Sequence, residues 1–450
     1  MKQTALIIPL LFLASICFGA ESSGWKAGAS ATIITPEEYL WMAGYGGRKT
    51  PAEGKLTDLY AKALALEDSG GHRSVFITLD LVGIDRETTA AIGEELKKDG
   101  LERHQIAVNC SHTHSGPVVA KNLGPLHYWS LDDDQKARID RYAATLKQRV
   151  VQTARNALKN LAPARLQWGS GYATFAVNRR ENKPYDIVPK LRSEGTLKGP
   201  VDHDVPVLTV RNPAGEIRCI VFGYACHATV LSGNRWCADY PGYAQREVEK
   251  NYPGSVALFW AGCGADQNPL PRQTVTLAEQ YGMALANSVS QVIAAPMEEI
   301  ESTLTTFYRE VQAPLAKLPS TEELRALILG TNSYEKARAK MLLDRIASQG
   351  SLESTYPYPI AKWVLGNQVE WNFMGGEVVV DYARRLKKSG HRTATWVAGY
   401  SNDVMAYVPS LRVLKEGGYE GGGSNVYYGL PGLWDETFEE VVVQAIQELK

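Results

Sequence analysis

The chain has 450 residues, with 48 Lys and Arg against 49 Asp and Glu, a net charge of −1, 44% hydrophobic residues and 22% charged ones. It is apolar enough to bury a large core, which excludes disorder, and its lack of basic excess argues against a nucleic-acid partner. Its length excludes a disulfide-stapled miniprotein, and with only eight histidines, where they cluster is the informative question.

Residues 1–20 read as an export signal. Lys2 is the positive start, Ala5 to Ile16 is the apolar run, and Gly19 and Ala20 allow cleavage. Ile16 is too large to precede a lipid-modified Cys17. No later stretch is long and apolar enough to span a bilayer. The expectation is a secreted or periplasmic protein, with residues 21–450 forming one domain. Peripheral membrane contact stays open, and no obligate protein partner is evident. Beyond the leader, Cys110, Cys219, Cys226, Cys237 and Cys263 contain no CxxC spacing. Cys226 and Cys237 either pair, or all five are small buried residues.

Short β-branched and aromatic runs predict strands at 74–79, 105–109, 217–225, 255–260 and 393–398. Ile139, Tyr142, Leu146, Val150, Ala154 and Leu158 recur at helical spacing, as do Leu277, Tyr281, Leu285, Val289 and Val292. Ser320-Thr-Glu-Glu323 is a capping box, so 319–350 reads as a charged helical segment without assignable chemistry. Gly417 to Gly423 reads as a mobile loop. The fold class expected is α/β, with mixed central β-sheets flanked by helices and the site in loops at strand ends.

Each strand is therefore followed to its end. After 105–109 comes Ser111-His112-Thr-His114-Ser-Gly-Pro117. Two histidines at i and i+2 in extended backbone face one side, a spacing for metal ligation or for a ligand beside an acid–base group. After 217–225 comes His227, which alone reads as a core histidine and beside the first pair reads as a third functional one. After 255–260, Asp266, Gln267 and Asn268 follow a Gly-rich turn and either face a ligand or bond their own backbone. Composition alone does not single out Glu377, Tyr407 or Tyr419. His72, His104, His127 and His391 read as surface residues, and so does His203 between two aspartates. HExxH, GxSxG and a strand-borne GxGxxG are absent.

These segments resemble the neutral, non-lysosomal ceramidase family. The resemblance rests on Met42 to Arg48, Asp58 to Ala63, Thr78 to Asp80, Ser111 to Pro117, Asn178-Arg179, Ala225 to His227, Glu377 with Arg384-Arg385, Asn402 to Tyr407 and Gly418 to Glu420. It implies one catalytic Zn2+ ion held by His112, His227, Glu377 and Tyr407. It implies that His114 moves a proton and that Arg179 and Tyr419 stabilise an oxyanion. The twelve residues from Tyr407 to Tyr419 fit the family's spacing. Members of the family carry Gly-Asp-Val-Ser-Pro-Asn with a catalytically important Ser. Matched to Gly264-Ala-Asp-Gln-Asn-Pro269, this puts Gln267 at the Ser position. Full members also carry a C-terminal β-sandwich, for which 450 residues leave no room after the last motif.

The resemblance thus implies a secreted zinc amidohydrolase that cleaves an N-acyl amide, ceramide to sphingosine and fatty acid. Gln267 motivates an alternative with the same zinc and a non-lipid acylated substrate, such as a sugar or cell-wall fragment. A non-catalytic binding protein on this scaffold is the third reading.

Overall fold

Alternation along the strands sets the layering. In Tyr60–Glu67, Ala61, Ala63 and Ala65 enter one core while Leu64 and Leu66 enter another. In Arg73–Leu79, Val75, Ile77 and Leu79 face the first core and Phe76 the second. A sheet apolar on both faces must be covered on both. The computed structural model describes residues 24–390 and 392–449. The leader-like stretch with Cys17, and His391, lie outside the described residues.

The first sheet has nine strands. Its main path runs Val256–Ala261, Ile217–Tyr224, Asp204–Arg211, Ala162–Tyr172, Trp25–Ile33, Tyr60–Glu67, Arg73–Leu79 and Ile106–Cys110. Pairing is antiparallel along the middle of that path and parallel at its two ends. Helices Asp133–Lys159 and Val275–Ala294 cover one face, capped at the N-terminus by Asp132 and Thr274. The other face packs on a second sheet of four strands, Leu304–Pro314, Thr355–Leu365, Val369–Met374 and Ala394–Ala398. Trp260, Trp363, Trp371, Phe373 and Trp396 fill the space between the sheets. Helices Val380–Ser389 and Phe438–Glu448 close the far side. The α/β class is borne out, and each strand predicted from the sequence lies within about a residue of its observed bounds.

The two edges of the first sheet curl towards each other at their C-terminal ends. The Asn109 side chain fastens them: its Oδ1 accepts the Ala261 N–H at 2.9 Å, and its Nδ2 donates to Gly399 O at 2.7 Å. One buried amide thus ties both edges to the end of a strand in the second sheet.

Some expectations change. The segment 319–350 is a hairpin of two helices, Thr321–Leu329 and Ser333–Gln349, with a small core of its own. Its Tyr334 hydroxyl donates to Gly46 O, and Arg338 donates to Leu430 O, so it buttresses two loops beside the candidate site. The Gly417–Gly423 run is anchored by its acid: Tyr419–Gly423 is a wide helical turn, and Glu420 is buried in ion pairs with Arg179 and Arg180. His127 is a core residue, not a surface one. It is buried, accepts the Gly44 N–H on Nε2 at 3.1 Å, and burial lowers its pKa to about 3. The five cysteines among the described residues are free and buried, so Cys226 and Cys237 do not pair. Among the described residues, no helix is long and apolar enough to cross a membrane.

Candidate metal centre

The site forms where the two sheets meet. His112 follows strand Ile106–Cys110, and His227 follows strand Ile217–Tyr224. The Asn109 junction draws these ends together, and His114 N–H donates to Ala228 O at 3.2 Å, joining the two loops. From the other side comes a two-residue parallel pair, Glu377–Val378 with Tyr407–Val408. Glu377 lies opposite Tyr407 in register, so both side chains leave the ladder on the same side.

The backbone at the histidine pair is not extended. His112 sits at φ 61°, a left-handed conformation that costs a non-glycine residue roughly 1–3 kcal/mol. It turns the ring onto Tyr400, itself at φ 49°, with centroids 4.4 Å apart. The i and i+2 histidines still meet, but edge to face at 4.7 Å rather than side by side.

Two carbonyls fix the tautomers. His112 Nδ1 donates to Val82 O at 2.6 Å, and His227 Nδ1 donates to Gly264 O at 2.8 Å. Each ring therefore presents an Nε2 lone pair inward. Both Nε2 atoms lie 3.1 Å from Glu377 Oε2, and Tyr407 Oη is 3.4 Å from His227 Nε2. Glu377 Oε2 is buried with no hydrogen-bond donor. Burial works to raise the Glu377 carboxyl, but His112 and His227 outweigh it and hold it well below the usual range. Burial, then Arg179, lowers His227 to about 4. Two imidazole nitrogens and a carboxylate oxygen thus converge in a buried pocket, a donor set that fits a cation.

The other residues expected at the site gather around it. His114 Nε2 is 3.0 Å from His112 Nε2, and His112, His114 and His227 have ring nitrogens within 4.8 Å of one another. His114 Nδ1 is buried and unpartnered. Burial and then its two neighbouring histidines hold its pKa well below the ordinary value, so it is neutral. Its ring lies against Gly44, where a Cβ would come within 2.5 Å of it. Arg179 donates from Nη2 to Tyr407 Oη at 3.0 Å and reaches within 3.4 Å of His227 through Nη1. Tyr419 is 47% exposed, with its ring 5.2 Å from that of Tyr407, at the mouth.

Gln267 is brought to the site only by its backbone. Its carbonyl accepts the His227 N–H at 2.9 Å. Its side chain turns away: Nε2 donates to Ala225 O and Cys263 O, and Oε1 accepts the Asp202 N–H. The residue that faces the cleft is Asn268, whose Oδ1 accepts from Arg179 Nη1 at 3.3 Å. The sequence held the signal for this. Asp266 and Pro269 are three apart, as are the Asp and Pro of Gly-Asp-Val-Ser-Pro-Asn, and that register puts Asn268 at the Ser position. Sequence reasoning also missed Tyr428, whose hydroxyl donates a short hydrogen bond to Glu377 Oε1. No local pattern marks it. The cleft in front of the cluster measures roughly 390 Å³ and is lined by His114, Arg179, Asn268, Tyr407 and Tyr419, among others.

A sequence model described as neutral/alkaline non-lysosomal ceramidase, N-terminal, matches residues 26–286, more than half of the chain. The chain belongs to this ceramidase family. The neutral ceramidase of Drosophila pseudoobscura pseudoobscura is 24% identical over 283 residues, covering 58% of this chain and 37% of that protein. Neutral ceramidase A of Dictyostelium discoideum is 24% identical over 250 residues, covering 54% of this chain and 34% of that protein. The chain thus matches little more than a third of these curated relatives. The crystal structure of neutral ceramidase from Pseudomonas aeruginosa superposes with a TM-score of 0.72 at 19% identity, over 94% of this chain and 73% of that one. The ceramidase sequence match contains His112, His114, Arg179 and His227. Glu377, Tyr407 and Tyr419 lie beyond it, within a chain whose fold matches the solved ceramidase almost throughout.

Proposed function

We propose that the chain is a zinc-dependent hydrolase of N-acyl amides, with the ion held by His112, His227, Glu377 and Tyr407. One observation carries this reading: two Nε2 atoms converge on a buried Glu377 Oε2 that has no donor. When bound there, zinc supplies a Lewis acid and brings the pKa of a water to about 7.

The chain's own residues do the rest. His114, neutral and at the edge of the cleft, accepts a proton and returns it to the leaving amine. Arg179 stays charged and is aimed by Glu420, so it meets negative charge developing on the carbonyl oxygen. Asn268 adds an amide N–H2 with no protein acceptor among the described residues, and Tyr419 adds a hydroxyl at the mouth. Ceramide, the amide in the relatives' names, is the first substrate to try. The leader-like residues 1–20 favour action outside the cytoplasm.

A specific observation favours the second substrate reading, a non-lipid amide or ester. Among the described residues, no aliphatic or Phe side chain lines the cleft; its apolar surface is tyrosine rings and glycine. A long acyl chain gains little there. Metal analysis combined with a panel of ceramides and N-acetylated sugars tests both. Stoichiometric zinc with amide turnover supports the hydrolase, and protein that takes up no zinc sinks it.

A further inference from the structure

The cations that line the cleft are not equally engaged. Arg179 and Arg180 are both held by Glu420, and Arg180 is also held by Glu416. Arg272 and Lys183 line the same cleft and form no ion pair among the described residues, although buried Asp239 lies near enough to Arg272 to feel its charge. Arg272 is the more constrained of the two. Its Nη1 reaches Thr229 O at 3.5 Å, and its guanidinium lies 5.9 Å over the Tyr185 ring. A guanidinium set over a ring keeps its N–H edge free for a planar acceptor. The remaining acid of the lining, Glu181, lays its stem against Gly199, with Cγ 2.7 Å from where a Cβ there would stand. The cleft is therefore polar, walled by tyrosines, and locally positive at Arg272.

We infer that the substrate is a small N-acyl amide that carries a carboxylate, and that Arg272 binds this carboxylate with Lys183 beside it. This rests on the hydrolase reading and names its substrate class. A fatty amide finds neither an aliphatic wall nor a use for Arg272. An acylated amino acid or an acylated acidic sugar finds both a tyrosine platform and a bidentate anion partner.

Binding tests this separately from turnover. Zinc-loaded protein is titrated with two matched pairs: N-acetyl-L-alanine against N-acetyl-L-alaninamide, and N-acetylmuramic acid against N-acetylglucosamine. The carboxylate member of at least one pair should bind roughly tenfold tighter, the worth of one charge-assisted contact. The pair that discriminates identifies the source, amino acid or sugar. Arg272→Gln should erase the difference, Arg272→Lys should keep part of it, and exposed Lys183→Ala should reduce it slightly. If neither pair discriminates, or if Arg272→Gln preserves the preference, the inference is wrong. Discrimination without hydrolysis would overturn the amidase reading and leave only the carboxylate contact at Arg272 standing.

Discussion

Glu420 holds Arg179 by a 2.7 Å bond from Nε to Oε1, and this turns the two Nη groups towards Tyr407 and His227. Burial would raise the Glu420 carboxyl, but Arg179 and Arg180 outweigh it and keep it ionised. The charge on Glu420 is thus part of how Arg179 is aimed. Glu420→Gln should keep the fold and the bound zinc while kcat falls about 10–100-fold, because an oxyanion donor is left loosely held. Glu420→Ala should also cost about 3 kcal/mol in urea unfolding, since buried Arg179 is left unpaired. An unchanged kcat in Glu420→Gln would remove Arg179 from the mechanism.

Zinc affinity separates the ligands from the groups that orient them. Glu377→Gln and the double variant His112→Ala/His227→Ala should hold no stoichiometric zinc. Tyr428→Phe deletes only the hydroxyl that bonds Glu377 Oε1. It should weaken zinc about 10–100-fold, as outer partners of metal ligands do. Chelator competition measures all three. A double histidine variant that still retains zinc would contradict the assignment.

Two neighbours in the 264–269 turn should respond in opposite ways. Gln267→Ser strands Ala225 O, Cys263 O and Asp202 N–H. It should lower stability by about 2–4 kcal/mol with little change in substrate preference. Asn268→Ser, which removes one buried acceptor of Arg179, should cost only about 1 kcal/mol and shift relative kcat/KM across an amide panel. Thermal melts and the panel together decide which residue faces the substrate.

Asp403 predicts a pH effect remote from the metal ligands' side chains. Burial raises its pKa to about 7, against the lowering effects of the Tyr356 hydrogen bond and of Arg86. A folded value above the unfolded 3.8 means that stability is fully present below about pH 4 and is lost as pH rises through about 7. The wild type should therefore lose up to about 4 kcal/mol relative to Asp403→Asn between those limits. Urea midpoints near pH 4 and at pH 8 bracket the difference. Parallel curves for the two proteins would show that Asp403 does not titrate there.

The sequence made the strands and the histidines legible because both are local. Runs of apolar residues located the strands, and strand ends located His112, His114 and His227. Glu377 and Tyr407 emerged only through family resemblance, since a lone Glu beside two glycines has no signature. Tyr428, and the pairing of Glu420 with Arg179, were invisible because the partners lie 51 and 241 positions away, and no window along a chain contains such pairs. Asn268 was legible in principle, but matching the leading glycine rather than Asp and Pro displaced the register by one. His127 was misread although Leu126, Tyr128 and Trp129 flank it in sequence; in space it lies on the packed underside of the Gly44 loop.

The Asn109 junction has a consequence for assembly. Two of the proposed ligands follow strands of the first sheet, and the other two come from a ladder beside the second. Neither half can chelate alone, so affinity for the ion becomes affinity of one half of the molecule for the other. A cation held there would act as a rivet across a seam. Stripped of it, the protein should open first along that seam, with amide exchange rising at the Asn109–Ser401 bridge while each sheet stays protected. Two fragments divided in the loop near residue 302 would then recognise each other more tightly when metal is present, making the metal centre also a clasp of the fold.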